Sequence, residues 1–171
     1  MNFDPFRKID FDNVADVDLA DIGGPLKTCL EYWRSVSGEG GLPSWRGIDL
    51  SELPGDVLPL VTVINIDWSR GLVGADSFTY RYWGTGHVRA KNIERTGTTV
   101  AEHSDRARIV EAEYLRVIAE KRPIAFRKNI RINEPWRAVT QTSIRLPLSD
   151  DGVRVDNVLS ASEWVAIPPD V

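Results

Sequence analysis

Hydrophobic positions recur along this chain with two different periods, which divide it into helices and strands. Over 25–37 and 105–120 the apolar residues follow the three- and four-residue spacing of one helix face. Over 124–132 and 136–147 apolar and polar residues alternate, as in a strand with one buried face. Residues 61–68 are apolar on both faces, which is typical of an interior strand. In chain order, the pattern predicts a helix over 25–37, strands over 61–68 and 78–83, a short helical segment over 86–97, a helix over 105–120, and strands over 124–132, 136–147 and 155–167.

The first 24 residues show no long hydrophobic period and are acidic. Six aspartates lie within residues 1–21, against two basic residues. Gly23-Gly24-Pro25 then marks the start of the first helix, because proline is tolerated in a first helical turn. We predict a loosely ordered acidic arm over 1–24 and a single domain over 25–167. The alternative is an arm that docks its phenylalanines on a partner or on a second subunit.

Composition places the chain among single-domain globular proteins. Its 171 residues are 42% hydrophobic and 27% charged, and a chain of this length buries a sizeable core without a metal or a disulfide. Cys29 is the single cysteine and has no partner for an intramolecular disulfide, which suits a reducing compartment. The net charge of −4 argues against nucleic acid as a partner. No signal-peptide pattern and no apolar run of roughly 18 residues is present, so we predict a cytoplasmic protein without membrane insertion.

An aromatic strand that ends at glycines is the most distinctive motif of the chain. Residues 78–83 alternate with a period of two, so Phe78, Tyr80 and Tyr82 are predicted to share one face. Gly84-Thr85-Gly86 ends the strand, since glycine accepts turn conformations that aromatic residues resist. A short basic segment follows and ends in turn at Thr96-Gly97. The order of strand, break, short helix and break predicts a lid over one wall of a cavity.

Two motifs of this sequence resemble a family of stand-alone bacterial PAS-type domains. Residues 80–85, YRYWGT, followed by Arg95-Thr96-Gly97, resemble the "YR-x-x-GT … TG" core of that family. Residues 41–49, GLPSWRGID, resemble its opening "G-x-L-P-x-R-x-x-I-D" motif, with Trp45 and Arg46 near the usual arginine. The resemblance extends over about residues 32–165, which is most of the chain.

The resemblance implies an α+β, PAS-like fold in which a five-stranded antiparallel sheet carries short helices over one face, plus an N-terminal flanking helix. It also implies a non-catalytic sensory or regulatory module. Such a module binds a small ligand, a protein partner or both, and signals through a change at an interface.

The flanking helix of PAS-type proteins often supports a homodimer. We therefore predict a dimer interface on the apolar stripe of Leu26, Leu30 and Trp33. The alternative is that this stripe packs on the chain's own sheet.

The sequence offers little for catalysis. His87 and His103 are not at the spacing of a metal site, so no metal is predicted. His103-Ser104-Asp105 contains the residue types of a hydrolase triad, but contiguous residues cannot generally orient as nucleophile, base and orienter. We predict no catalytic residue. Two alternatives stay open: a small α+β cone-fold isomerase or dehydratase that pairs His87 or His103 with Asp105, and a purely structural dimerisation or interaction domain.

Lys128 breaks the apolar face of the strand over 124–132, between Phe126 and Ile130. A buried lysine is unfavourable unless it is paired, so Lys128 is a candidate partner for an anionic ligand, with His87 or Arg89 from the lid. The alternatives are a bulge, a buried pair with a glutamate, or a side chain that reaches the sheet edge. The predicted ligand-binding residues are Tyr80, Tyr82, His87, Phe126, Lys128, Thr140 and Thr142.

The sequence does not identify a cofactor. The flavin photochemistry of PAS-type photosensors needs a reactive cysteine in the core, whereas Cys29 lies in the N-terminal helix. Haem binding needs a histidine that faces the cavity from a helix, and a histidine near a helix start is more often a cap or a surface residue. Neither cofactor is predicted.

Overall fold

A computed structural model describes residues 6–103, 106–132 and 136–169 of the chain. Within these ranges the chain folds as α+β around one antiparallel sheet of six strands. The helices and strands are β1 (Val14–Val17), α1 (Gly24–Val36), β2 (Val61–Ile66), β3 (Phe78–Trp83), α2 (Thr85–Lys91), α3 (Ala107–Glu120), β4 (Ile124–Ile132), β5 (Arg137–Leu148) and β6 (Asn157–Ala166).

The strands follow one another across the sheet in the order β1-β4-β5-β6-β2-β3. The predicted α+β class and antiparallel sheet are therefore confirmed, but the predicted count of five strands is wrong. The additional strand, β1, comes from the segment that the sequence predicts as an acidic arm. Its Val14 lies opposite Lys128 of β4, and its Asp16 accepts two hydrogen bonds from Arg116 of α3, at 2.6 and 3.0 Å.

Helix α1 covers one face of the sheet. Its buried Leu26, Leu30 and Trp33 pack with apolar residues of β5 and β6, including Ile144, and the indole Nε1 of Trp33 donates to the Pro147 carbonyl at 2.9 Å. All three are buried within the chain itself, so they leave no apolar surface for a second subunit. The prediction that they form a dimer interface is therefore wrong, and the alternative of packing on the chain's own sheet is confirmed.

Helices α2 and α3 lie over the opposite face. Tyr114 and Val117 of α3 pack with Phe78 and Phe126 of the sheet in a second core, which Val88 of α2 also contacts. None of the described helices combines the length and the apolar character needed to cross a membrane.

A β-bulge changes the direction of the side chains in β3. Tyr80 lies opposite Ile64, but Tyr82 lies opposite Val63, so Arg81 is an extra residue with no position of its own in the ladder. The predicted alternation is therefore wrong beyond Tyr80. Tyr82 turns toward the α1 face of the sheet, and Trp83 joins Tyr80 on the other face.

Candidate functional site

A cavity of about 940 Å³ lies between the sheet and the side that carries α2 and α3. Aromatic rings form part of its wall, among them Tyr80 and Trp83 of β3, Phe11 and Trp136. Cations form another part. The six cationic side chains that line the cavity are Lys91, Arg95, Arg106, Lys128, Arg131 and Arg145, and among the described lining residues Asp12 alone is acidic.

The sheet beneath the cavity is polar, although a sheet face under two helices usually carries apolar side chains. Thr62 of β2, Ser162 of β6, and Gln141 and Arg145 of β5 all line the cavity from below. The register places Lys128 of β4 directly opposite Gln141, which extends this polar surface toward the sheet edge. We call these five residues the polar floor.

One buried carboxylate pairs with two cations of the polar floor, so the cluster of three side chains keeps a net charge of +1. Glu113 of α3 accepts a hydrogen bond from Lys128 Nζ, and its other oxygen accepts from Arg145 Nη2 at 2.6 Å. Arg145 Nη1 also donates to the Tyr114 hydroxyl at 3.0 Å. Burial alone would raise the pKa of Glu113, but Lys128 and Arg145 hold that pKa below its ordinary value, so the carboxylate is ionised. The buried pair of Lys128 with a glutamate, one of the alternatives left open by the sequence, is thus confirmed.

Lys91 and Arg95 differ from this pair because no described carboxylate lies within ion-pair distance of either. The Lys91 ammonium lies 5.2 Å from the centre of the Trp83 ring, and the Arg95 guanidinium lies 6.0 Å from it. Burial, together with the nearby cations Lys128, Arg145, Arg95 and Arg106, lowers the pKa of Lys91 to about 7. The Trp83 ring opposes this effect, because a cation over an aromatic ring is stabilised by about 0.5–1 kcal/mol at an exposed site.

His87 lines the cavity and has one buried ring nitrogen without a described hydrogen-bond partner. Its Nε2 lies 2.8 Å from the Leu60 carbonyl oxygen, which can only accept, so Nε2 carries the proton of this hydrogen bond. Burial, with a contribution from Lys91, lowers the pKa of His87 to about 3, and the ring is therefore neutral at pH 7. Its Nδ1 is then an acceptor, and this atom is buried with no hydrogen-bond partner among the described residues. The amide oxygen of Gln141 on the polar floor is also buried and unpartnered.

His103 is hydrogen bonded within the wall. Its Nε2 lies 2.9 Å from the Tyr80 hydroxyl, and burial and nearby cations lower its pKa to about 3. Among the described residues no carboxylate lies within ion-pair distance of His87 or His103. Ser104 and Asp105, which the triad and the cone-fold alternative require, lie outside the described ranges.

The structure brings three of the seven predicted ligand-binding residues to the cavity: Tyr80, His87 and Lys128. The other four do not line it. Phe126 lies in the core beneath α3, with the Arg116 guanidinium 5.4 Å from its ring centre. Tyr82 is turned away by the bulge in β3.

Thr140 and Thr142 were assigned to the wrong face of β5. They share the face of Ile144, which packs with α1, whereas the cavity faces Gln141 and Arg145. Sequence reasoning also missed Trp83, Lys91 and Arg95. The polar residues of β5 at 141, 143 and 145 carried a signal for the cavity face, because so many polar positions in a long strand are unusual when both faces are covered. Ligand binding by all of these residues stays a prediction.

No group of three or more His, Cys, Asp or Glu side chains among the described residues is arranged to hold a metal ion. No protein-family model matches this sequence, and searches among curated proteins and among solved structures find no similar chain.

Proposed function

We propose that this domain binds a small organic anion in the cavity and acts as a non-catalytic sensory or regulatory module with a PAS-like fold. The observation that carries the proposal is the charge of the cavity. Lys91 and Arg95 line a space of about 940 Å³ with no ion pair to a described carboxylate, and the buried Lys128 and Arg145 beside them share the single carboxylate of Glu113. The chain as a whole carries a net charge of −4, so the positive charge of the cavity differs in sign from that of the whole chain.

The size and wall of the cavity fit a small molecule. Ligand sites commonly occupy about 300–1,000 Å³ and combine aromatic surface with a few placed polar groups. Here Trp83 and Tyr80 supply the aromatic surface, and Lys91 and Arg95 supply charge. A cavity of this volume favours a ligand-binding domain over a purely structural domain with a filled core.

A signalling step follows from where the cations lie. Lys91 ends α2 and Arg95 belongs to the segment between α2 and α3, so an anion bound to both would hold this segment against the sheet. Ligand binding would shift the segment between two arrangements and change the surface offered to a protein partner. The partner, and a homodimer if one forms, would use a surface other than the buried stripe of α1.

Binding is tested by measuring the melting temperature and heats of binding with aromatic carboxylates and phosphate monoesters, each beside its neutral methyl ester or alcohol. We expect several anions to stabilise the protein and their neutral counterparts not to do so. Replacing Arg95 with glutamine is expected to weaken binding about tenfold or more, because a charge-assisted hydrogen bond contributes about 1.5–3 kcal/mol. Arg34→Gln, at an exposed position of α1, is the matched control. Equal stabilisation by anions and neutral counterparts would contradict the proposal.

Anion binding is also expected to depend on pH near neutrality. The protonated form of Lys91 attracts an anion, and its pKa is about 7 in the free protein, so binding takes up a proton and affinity falls as pH rises through 7. His87 and His103 do not contribute, because their pKa values of about 3 keep them neutral in this range. Lys91→Arg keeps the charge at every pH, and in this variant the affinity for an aromatic carboxylate, which stays ionised over the range, is expected to be constant from pH 6 to about 8. The same pH dependence in wild type and Lys91→Arg would assign it to another group.

A further inference from the structure

Lys91 and Lys128 both line the cavity, but their amines have different hydrogen-bond partners. Lys128 donates a hydrogen bond to Glu113, and this buried counterion favours the ammonium form of its amine. Lys91 lines the same cavity with no ion pair or hydrogen bond to a described residue, over the face of the Trp83 ring. It is partly buried and remains open to a molecule in the cavity.

The described groups with the largest effect on Lys91 are cations, and the acidic groups around the cavity are Asp12 in its wall and Glu113, which pairs with Lys128 and Arg145. Arg95 follows α2, Arg106 precedes α3, Lys128 lies on β4 and Arg145 lies on β5, while His87 and His103 are neutral. Repulsion among cations and burial both favour the free amine, which gives Lys91 a pKa of about 7. A lowered pKa leaves a larger share of neutral, nucleophilic amine at pH 7 than an ordinary lysine has. Exposed lysines, with pKa values of about 10.4, are almost entirely protonated there.

We propose that the Lys91 amine captures a small anionic carbonyl compound, an aldehyde acid or a 2-oxo acid, as a reversible Schiff base. This inference rests on the proposed function, because Arg95 must hold the anionic group while the Lys91 amine is in its unprotonated form. The Nζ lone pair adds to the carbonyl carbon, the two N–H protons of the neutral amine are lost and balanced by two protons taken up by the carbonyl oxygen, and the C–O bond breaks to release water. The product is an imine between Nζ and the former carbonyl carbon. The step involves no oxidation or reduction, and protonation of the imine restores the positive charge beside the anion.

Reductive trapping tests the proposal. The protein is incubated with glyoxylate and sodium cyanoborohydride, which reduces an iminium to a stable secondary amine, and the modified lysines are mapped by peptide mass spectrometry. Acetaldehyde serves as a neutral aldehyde of similar size. We expect glyoxylate to modify Lys91 at least tenfold faster than the exposed Lys27 and Lys121, and we expect acetaldehyde to show a smaller preference. Lys91→Arg is expected to lose the fast modification and to keep the fold.

The outcomes separate this proposal from the proposed function. If anions raise the melting temperature but glyoxylate modifies Lys91 no faster than Lys27, the Schiff base is overturned and anion binding stands. If both aldehydes modify Lys91 equally fast and no anion stabilises the protein, the anionic ligand is overturned together with the capture of an anionic carbonyl compound. Fast modification of Lys91 that depends on the glyoxylate charge and is suppressed by a stabilising anion supports both.

Discussion

Replacing Glu113 with glutamine is expected to lower the free energy of unfolding by about 3–5 kcal/mol, because it leaves a buried ion cluster without its anion. Glu113 is 2% exposed and pairs with Lys128 and Arg145, which are themselves buried. Glutamine keeps the size of the side chain and part of its hydrogen bonding, so the loss reports mainly on charge. Urea denaturation of both proteins, followed by circular dichroism, measures the difference.

The matched control is Glu120→Gln on the same helix. Glu120 pairs with Arg116 and Arg122, but all three side chains are substantially exposed, and exposed pairs contribute only about 0–1 kcal/mol. A second variant, Lys128→Met, keeps the contact between Glu113 and Arg145 and is expected to lose less stability than Glu113→Gln. If Glu113→Gln were no more destabilising than Glu120→Gln, the cluster would not be buried as described.

The pH dependence of stability gives a further readout of the same residue. Lys128 and Arg145 overcome the effect of burial and lower the pKa of folded Glu113, so its contribution to stability is present above the unfolded pKa of about 4.3. That contribution is lost as pH falls through the lower folded value. We expect wild type to lose stability more steeply than Glu113→Gln below pH 4.3, until the two proteins converge.

The buried ion cluster of Glu113, Lys128 and Arg145 divides the cavity cations into two groups. Glu113 pairs with both Lys128 and Arg145 and offsets one of their two positive charges, which makes them part of the folded framework, whereas Lys91 and Arg95 have no such described counterion. A bound anion would therefore interact most strongly with Lys91 and Arg95. Loss of Arg95 is accordingly expected to weaken binding with little effect on folding, and loss of Glu113 is expected to weaken folding first.

Elements governed by local periodicity were predictable from the sequence. The strand predicted over 124–132 is β4, Ile124–Ile132, and the helix predicted over 25–37 is α1, Gly24–Val36. In both, one face is mainly apolar, interrupted in β4 by Lys128, so a single segment contains the signal. The predicted antiparallel sheet follows from several such strands with short connections.

Features that depend on a second segment were not predictable. Strand β1 has four residues and is joined to β4 by backbone hydrogen bonds, with support from Asp16 and Arg116, which are 100 positions apart. The bulge at Arg81 arises from the pairing of β3 with β2, so the alternation of 78–83 alone points Tyr82 and Trp83 to the wrong faces. Both errors concern pairing register rather than element type.

The candidate site shows the same limit. Lys128 was identifiable because it interrupts an apolar row, but its partner Glu113 is one of several polar positions along α3 until the helix is placed on the sheet. The alternation along β5 places Thr142 and Arg145 on opposite faces of the strand. Only the packing of the helices decides that the face of Arg145 is the one at the cavity. The sequence therefore predicted three individual residues of the cavity wall, Tyr80, His87 and Lys128. It did not predict that Lys91, Arg95 and Arg145 lie around the same cavity.

Replacing Gly84 with alanine is expected to destabilise the fold by about 3 kcal/mol, the upper end for overpacking, and to disturb the cavity as well. A Cβ at Gly84 would lie 2.2 Å from the carbonyl oxygen of Pro59 and 2.7 Å from that of Val61. The backbone angles at Gly84, φ −61° and ψ 148°, suit any residue, so the expected loss is steric. Because both neighbouring atoms are backbone, the clash cannot be relieved by a rotamer change.

Gly84 begins α2, the helix that carries His87 and Lys91, and its N–H donates to the Val61 carbonyl at 2.9 Å. Relief of the clash must move α2 away from β2, so Gly84→Ala is also expected to weaken anion binding at conditions where the protein is still folded. Gly55→Ala is the control, because a Cβ there meets open space and the backbone angle is ordinary. Denaturant unfolding and anion titration of both variants test the argument. If Gly84→Ala were as stable as Gly55→Ala, the close approach of α2 to the Pro59 backbone would be incorrect, and with it the position of Lys91 in the cavity wall.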